Sequence, residues 1–360
     1  MGSARLLDRE RVEVELASGE GKRLLGARQV IIATGTRTIE LPDLPVDGER
    51  VLGAREALDL KTLPRRLAVI GGGYIGMELG MAFARLGSEV TVVELLDRIL
   101  TGTDPDCVKW VERRFQKLGG RILVRSRAAG FEEHAGELHL RVTDAEGRGG
   151  ETVVVDKILV AVGFRPHTAG LGLEALGVAL DGRGHIQVDE RCRTSVDGIY
   201  AIGDVTGPPY LAHRASRQGI VAADTIAGKQ AAMDVRAMPA VVFTDPEIAT
   251  VGLSAEQAEQ QGYRVKVGRF PFSALGRALI YGEQPPPGLV KLVVDAESGV
   301  LLGAQIAGHG ASDLIAELAL ALEMGALAED IALTVHAHPT LPEAIMEAAE
   351  AALGHAIHAL

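Results

Sequence analysis

Three groups of residues in this chain have types and spacings that can carry chemistry. The first is Gly71-Gly72-Gly73-Tyr74-Ile75-Gly76. It follows the apolar run Leu67-Ala-Val-Ile70 and leads into a helical stripe of Ile75, Leu79 and Phe83. A second apolar run, Val90-Thr-Val-Val, closes on Glu94, 18 residues after Gly76. Strand, glycine turn, helix, strand and acid in that order form a dinucleotide fingerprint. Gly71 permits the tight turn, Gly73 lets a pyrophosphate approach the backbone, and Gly76 lets helix and strand pack closely. The helix N-terminus offers N–H groups and partial positive charge to phosphates. Glu94 can accept from a ribose 2′-hydroxyl and would repel a 2′-phosphate, which favours NAD over NADP. Glycines alone would fit an ordinary turn; strands, helix and acid together argue for a nucleotide site.

The second group is Gly198-Ile-Tyr-Ala-Ile-Gly-Asp204, an apolar strand ending on a carboxylate. Ligands of α/β sheets lie at that edge. Pro209-Tyr-Leu-Ala-His213 then opens a helix. An acid there can hold a polyol hydroxyl, and a helix dipole an electron-rich ring edge. A capped strand end before a capped helix fits the same residues equally well. The third group is His336-Ala-His338-Pro-Thr-Leu-Pro-Glu343. Pro339 keeps His338 out of the α region, with Glu343 one turn inside a C-terminal helix. A carboxylate accepting from one imidazole nitrogen fixes the tautomer and raises the basicity of the other, as a general acid–base requires. Zinc would need a Cys or third His at suitable spacing, and none is present. A solvated surface histidine is the plainer alternative.

Periodicity supplies the elements that must position these groups. Strands are expected at Val12–Leu16 and Gln29–Ala33, a hairpin-like piece with no evident core partner, followed by a loop at Pro42–Pro45 and a short helix over Ala54–Leu60. A helix is expected over Asp104–Leu118, strands at Arg121–Val124, Leu138–Val142 and Lys157–Val162, a terminator at Gly163–Pro166, and a helix over His213–Ala227. Beyond Met238, strands at 241–243, 250–252, 264–270, 290–294 and 301–306 alternate with helices at 254–261 and 313–324. A helical tail over Leu341–His358 follows, which suggests a separate α+β domain.

At 360 residues the chain has room for two to three domains. Its net charge of −11 argues against nucleic acid or an acidic membrane surface as partner. No apolar run is long enough to span a bilayer and the first residues do not resemble a signal peptide, so a cytoplasmic location is expected. Cys107 and Cys192, 85 residues apart, are expected to be ordinary thiols and not a disulfide framework or a metal site.

Taken together, these stretches resemble the flavoprotein disulfide reductases, most closely the dihydrolipoyl dehydrogenases. The resemblance rests on Ile31-Ile-Ala-Thr-Gly35, the Gly71 fingerprint with Glu78, Gly163–Pro166 and Thr194–Asp204. It continues through Leu211-Ala-His213, Met238–Pro246 and the closing His-x-His-Pro-Thr. Mercuric reductases share the Met238–Pro246 style but not the histidine–glutamate ending. Glutathione reductases resemble the chain at Tyr74 but carry basic residues where this chain has Glu94.

The resemblance implies an α/β fold in which a Rossmann-like NAD domain is inserted in a partial FAD domain and followed by an α+β dimerisation domain. Residues 65–164 would be the NAD domain, 1–64 and 165–236 parts of the FAD domain, and 237–360 the interface domain. NAD would be held by Gly71, Gly72, Gly73, Tyr74, Ile75, Gly76, Met77, Glu78, Glu94, Ala128 and Gly163, with Tyr74 gating the nicotinamide pocket. FAD would be held by Thr34, Gly35, Thr36, Gly203, Asp204, Tyr210, Leu211, Ala212 and His213. His338, steered by Glu343, would be the acid–base, acting on the other subunit of a homodimer whose partners are the lipoyl domains of a 2-oxo acid dehydrogenase complex. In the implied reaction, His338 takes a thiol proton from dihydrolipoamide and the thiolate attacks an enzyme disulfide. Electrons then pass through FAD to NAD.

The family also has an N-terminal glycine fingerprint for FAD, a cysteine pair separated by four residues, and a lysine soon after. None of these is found here. Roughly the first hundred residues of such a protein are therefore expected to be missing, Glu78 would lack its lysine partner, and the strands from Val12 to Ala33 would lack the sheet they join. The chain alone is expected to be inactive. A non-catalytic, NAD-binding dimeric module and another disulfide or mercuric reductase are the alternatives.

Overall fold

Leu67–Ile70 and Val90–Val93 are apolar without interruption, as strands buried on both faces must be. In the computed structural model, which describes residues 1–281 and 285–358, they lie side by side in a five-stranded, all-parallel sheet. Its spatial order is Val51–Leu52, Lys157–Val160, Arg66–Ile70, Glu89–Val93 and Arg121–Leu123. Successive side chains point to opposite faces. Leu67 and Val69 thus pack with Met77, Met81, Val111 and Phe115 of the helices Tyr74–Leu86 and Pro105–Lys117. Ala68 and Ile70 face an antiparallel meander of Ser126–His134, Glu137–Asp144 and Glu151–Val155 through Leu138, Leu140 and Val153. The second helix starts where its sequence dictates. Asp104 is the N-cap, accepting from the Asp106 N–H, and Pro105 occupies the first turn.

The same compact unit, Glu40–Val162 with Arg236–Leu360, contains a five-stranded antiparallel sheet. Its order is Ala240–Val242, Glu247–Gly252, Leu301–Gly308, Leu289–Asp295 and Val265–Pro271. The helices Ala311–Met324, Ala328–Leu333 and Glu343–Leu353 build its core. Lys291 of this sheet donates to Asp104 Oδ2 at 2.7 Å, a buried ion pair that fixes the sheet to the N-terminus of the Pro105–Lys117 helix.

The other unit, the first along the chain, is Met1–Ile39 with Gly163–Val235, and the unit described above is the second. It holds a three-stranded antiparallel sheet (Gly2–Leu6, Arg11–Leu16, Lys22–Gly26) and a parallel pair, Val30–Ile32 with Ile199–Ala201. An antiparallel pair, Thr36–Thr38 with Phe164–Pro166, completes its strands. Leu6, Ile32, Leu173, Ile186, Ile199, Ala201 and Val205 form its core, and the helix Ala212–Ile226 contributes Val221 and Ala222 to a smaller cluster. Ile31 is 40% exposed although its neighbour Ile32 is buried, and Leu24 and Leu25 are exposed on the outer strand.

Several expectations change. The N-terminal strands do have a core partner: the Leu6 N–H donates to the Leu171 carbonyl, and Leu6 packs on Leu173. Residues 40–64 belong to the compact unit of the parallel sheet and pair with it through Val51–Leu52. Residues 236–360 share a compact unit with the parallel sheet, through Ile248 and Ala307, which join its helix-side core. Gly163–Pro166 is not only a terminator, because Phe164–Pro166 pairs as a strand. The strand expected over Gly198–Asp204 spans only Ile199–Ala201 and then tightens into a 3₁₀ turn at Gly203–Thr206. The C-terminal helix is Glu343–Leu353, stopped by Gly354 in the left-handed conformation. Among the described residues no helix is long and apolar enough to cross a membrane, and no group of His, Cys, Asp and Glu suits a metal ion.

Candidate functional site

The glycine turn has the geometry its sequence requires. Gly71 has φ 104°, a conformation that favours glycine, and its N–H donates to the Val93 carbonyl at 2.9 Å. A Cβ on Gly76 would collide with the Gly71 carbonyl, so helix and turn can approach only with glycine there. Gly73 is the helix N-cap, has no side chain to bond the first-turn amides, and has open space where a Cβ would stand. This is the cradle that a pyrophosphate fits. Tyr74 lies partly exposed at the helix start, whereas Met77 is fully buried in the core, so only its backbone is available to a ligand.

Glu94 does more than the spacing foretold. Its Oε2 accepts from the Gly72 N–H at 2.6 Å and its Oε1 from the Leu96 N–H at 2.8 Å. The acid therefore holds the turn as well as standing beside it. A carboxylate has about four acceptor positions, which leaves capacity for ribose hydroxyls. Ala128 is buried in the meander core, and Gly163 belongs to the other unit, where its carbonyl accepts from the Ile39 N–H. Glu78 is not without a partner: its Oε1 accepts from the Phe243 N–H at 2.9 Å. Burial pushes its carboxyl up, and that bond opposes the rise.

In the first unit, Asp204 sits in the 3₁₀ turn after Ile199–Ala201, and burial raises its carboxyl against the pull of Arg214. Arg214 braces the loop between this turn and the next helix, donating to the carbonyls of Gly207 (2.7 Å) and Pro209 (3.4 Å) and to Thr206 Oγ1 (3.2 Å). Leu211 is the N-cap of Ala212–Ile226 and gives no side-chain bond, so the first-turn amides of Ala212 and His213 are not capped by it. Gly35 has φ 65° and open space around it, suited to a closely approaching ligand. The Thr34 hydroxyl is used internally, donating to the His167 carbonyl at 2.7 Å, and Thr36 is paired within its strand.

In the second unit, His338 Nδ1 donates to Glu343 Oε1 at 2.7 Å, and Glu343 Oε2 accepts from the Thr340 N–H at 2.7 Å. Burial would raise the Glu343 carboxyl, but the Thr340 N–H and the His338 imidazole outweigh it and hold it below its ordinary value. The His338 side chain is 79% exposed, so Nε2 is open to a reactant. Sequence reasoning missed the second pair beside it: His336 Nε2 bonds Glu317 Oε1 at 2.9 Å and its Nδ1 bonds the Thr334 carbonyl, anchoring the arm that carries His338. The identity of the His336 partner, 19 residues away on the helix Ala311–Met324, has no local signal.

Both cysteines are free and buried. Burial pushes the Cys107 thiol up, and likewise raises Cys192 to about 11. Neither is a reactive thiolate.

Comparison with known proteins decides the family. Residues 2–219 match the pyridine nucleotide-disulphide oxidoreductases, and residues 238–349 match the dimerisation domain of that family. The chain belongs to the pyridine nucleotide-disulphide oxidoreductase family. The dihydrolipoyl dehydrogenase of Haloferax volcanii is 48% identical over 361 residues, covering 100% of this chain and 75% of the relative. That of Thermus scotoductus is 50% identical over 336 residues, 93% of this chain and 72% of the relative. Among solved structures, LpdA from Mycobacterium tuberculosis superposes with a TM-score of 0.87 at 33% identity, covering 97% of this chain and 76% of that one. RclA, an HOCl-induced flavoprotein disulfide reductase from Escherichia coli, superposes with a TM-score of 0.85 at 27% identity, covering 96% of this chain and 77% of that one. The chain is thus a dihydrolipoyl dehydrogenase-like member of its family, shorter than its relatives and without a cysteine pair. Its family uses FAD and NAD.

Proposed function

We propose that the protein acts in NAD-linked oxidation of dihydrolipoamide. His338 would be the acid–base, Gly71–Glu94 the NAD site, and Asp204 with the Ala212–Ile226 N-terminus the flavin-facing edge. The observation that carries this reading is the exposed His338 imidazole held by Glu343 at 2.7 Å. With Nδ1–H committed to the carboxylate, Nε2 is the free basic nitrogen and can take the proton of a dithiol sulfur, giving the nucleophilic thiolate. Glu343 fixes the tautomer and stabilises the imidazolium that results. Glu94 and the Gly71–Gly76 backbone orient the dinucleotide, and Asp204 holds a hydroxyl of the flavin side chain. When bound, FAD and NAD supply the electron and hydride transfer.

Supporting the proposed homodimer, Leu320, Met324, Leu333 and Val335 are exposed in the segment that matches the dimerisation domain, Val335 at 95%. Such an apolar face calls for a partner surface. The proposed domain limits are 65–164 for NAD, 1–64 with 165–236 for FAD, and 237–360 for the interface. The proposed partners are lipoyl domains, in the cytoplasm.

The 360-residue chain lacks a step of its own in this reaction, because its two thiols are buried apart from any partner sulfur. It is expected to bind NADH and to show no dihydrolipoamide-dependent NADH formation, with or without added FAD. Sustained turnover would overturn this assignment of steps. The same result, binding without turnover in any longer form of the protein, would favour a non-catalytic NAD-binding dimer.

A further inference from the structure

Three side chains of the first unit form a connected polar line that no step above uses. Asp181 Oδ2 and His185 Nδ1 lie 2.9 Å apart, and His185 Nε2 lies 2.8 Å from the Tyr210 hydroxyl. The imidazole is 4% exposed. Asp181 also accepts from the N–H groups of Arg183 (2.8 Å) and His185 (2.9 Å) through Oδ1, so it closes its own turn and has little freedom. The His185 side chain fills the space beside Gly207, where a Cβ would stand 3.7 Å from its ring. The Ile186 N–H donates to the Val205 carbonyl, tying this segment to the turn that bears Asp204. Phe164 stands edge-on to the Tyr210 ring, with centroids 6.2 Å apart.

Hydrogen-bond polarity runs one way along this line. An ionised carboxylate only accepts, so His185 Nδ1 must carry a proton. In the tautomer protonated at Nδ1 alone, Nε2 presents a bare lone pair, and Tyr210 donates its hydroxyl proton to it. The phenolic oxygen is left with lone pairs only. Burial pushes the Tyr210 hydroxyl up, followed by the Asp204 charge, so the phenol stays protonated and can make that donation.

We propose that Asp181 and His185 are positioning residues that commit the Tyr210 proton inward and so make its oxygen a fixed acceptor at the mouth of the Ala212–Ile226 helix. Together with Asp204, Tyr210 selects a ligand that offers hydroxyl donors on this side. On the flavin reading given above, on which the ligand assignment rests, that group is the ribityl chain. A ligand presenting only carbonyl oxygens here would be refused, because a lone pair would face a lone pair.

The test uses the 360-residue chain, labelled with ¹⁵N, at neutral pH. The expected imidazole signature for His185 is the neutral tautomer protonated at Nδ1, with an Nε2 resonance that moves in Tyr210→Phe. An Nε2-protonated tautomer, or an Nε2 signal indifferent to Tyr210→Phe, overturns the relay. A second arm titrates riboflavin and lumiflavin, which lacks the ribityl chain. Tyr210→Phe and His185→Phe should each weaken riboflavin by about 3- to 10-fold and leave lumiflavin unchanged, the loss of one hydrogen bond. Equal weakening of both probes would overturn the hydroxyl assignment. Failure of the unsubstituted chain to bind either flavin would overturn the flavin reading itself, while the tautomer result still decides the relay. Asp181→Asn, which removes only the charge that fixes the tautomer, should reproduce the change at Nε2 if either Phe variant fails to fold.

Discussion

The Gly71–Glu94 region and the Asp204 region begin from the same plan, an apolar parallel strand ending at a helix N-terminus, and end in different states of completion. Around Gly71 the strand lies centrally among five, with helices on one face and a meander on the other. Around Asp204 the corresponding strand pairs with Val30–Ile32 and, through an isolated bridge at Tyr200, with Arg193, and Ile31 is 40% exposed. Parallel strands are ordinarily covered on both faces, and two of them make little core by themselves. The difference teaches that the Gly71 turn has within this chain the packing that holds it rigid, whereas the edge proposed to face the flavin leans on short loops, Arg214 and the His185 line.

The comparison can be tested first where the largest effect is expected. Lys291→Ala would leave Asp104 buried and uncompensated beneath the Pro105–Lys117 helix, and should cost about 3–5 kcal/mol in the second unit by urea unfolding. A loss below about 1 kcal/mol would show that the ion pair does not hold that unit together. Next, Leu67→Ala, at a position 1% exposed, should cost about 2–5 kcal/mol, while Ile31→Ala should cost less than about 1 kcal/mol. Equal costs would erase the contrast between the two sheets.

A smaller effect is expected in nucleotide choice. Glu94→Ser removes the repulsion of a 2′-phosphate and the bond to Gly72, so the NADH over NADPH preference should fall by roughly 10-fold, about 1.4 kcal/mol, in fluorescence titrations. An unchanged preference would remove Glu94 from recognition and leave it only its bracing role. The thiols provide a count. Native protein should give almost no fast reaction with Ellman's reagent at pH 8, because burial holds Cys192 near a pKa of about 11 and raises Cys107 too, and both should react after denaturation.

Least in size is the pH response of the His338 pair. Glu343 has its carboxyl depressed in the folded state, so its bonds contribute above the ordinary carboxylate range and are lost as pH falls through the lowered value. The ¹³C resonance of the Glu343 side-chain carboxyl should therefore titrate below about pH 4.3, the ordinary glutamate value. A change centred above it would mean that the carboxylate is not held by Thr340 and His338.

Much of this was legible in the sequence because local chemistry left little choice. Gly71 and Gly76 are places where a side chain would strike backbone, and His338 and Glu343 are close enough along the chain for proline and helix geometry to join them. What sequence concealed was set by long-range partners. Glu78 bonds the Phe243 N–H, just past a strand and 165 residues away, and Lys291 meets Asp104 across 187, distances that no periodicity encodes. The Lys22–Gly26 strand lacks alternation because all of its residues are exposed, so the first sheet was read as a bare hairpin. The short helix Ala328–Leu333 has no apolar stripe long enough to announce it. Asp181, His185 and Tyr210 are each unremarkable singly and become a site only when the 3₁₀ turn brings them together.

The central claim is the proposal that the Gly71 turn is ready to hold a nucleotide and differs in this from the edge proposed to face the flavin. Hydrogen–deuterium exchange of the 360-residue chain with and without saturating NADH tests it most directly. The account predicts slower exchange at residues 71–77 and 94–96 and no change at 30–35 or 203–213. Protection confined to the second set, or absent from the first, would contradict it.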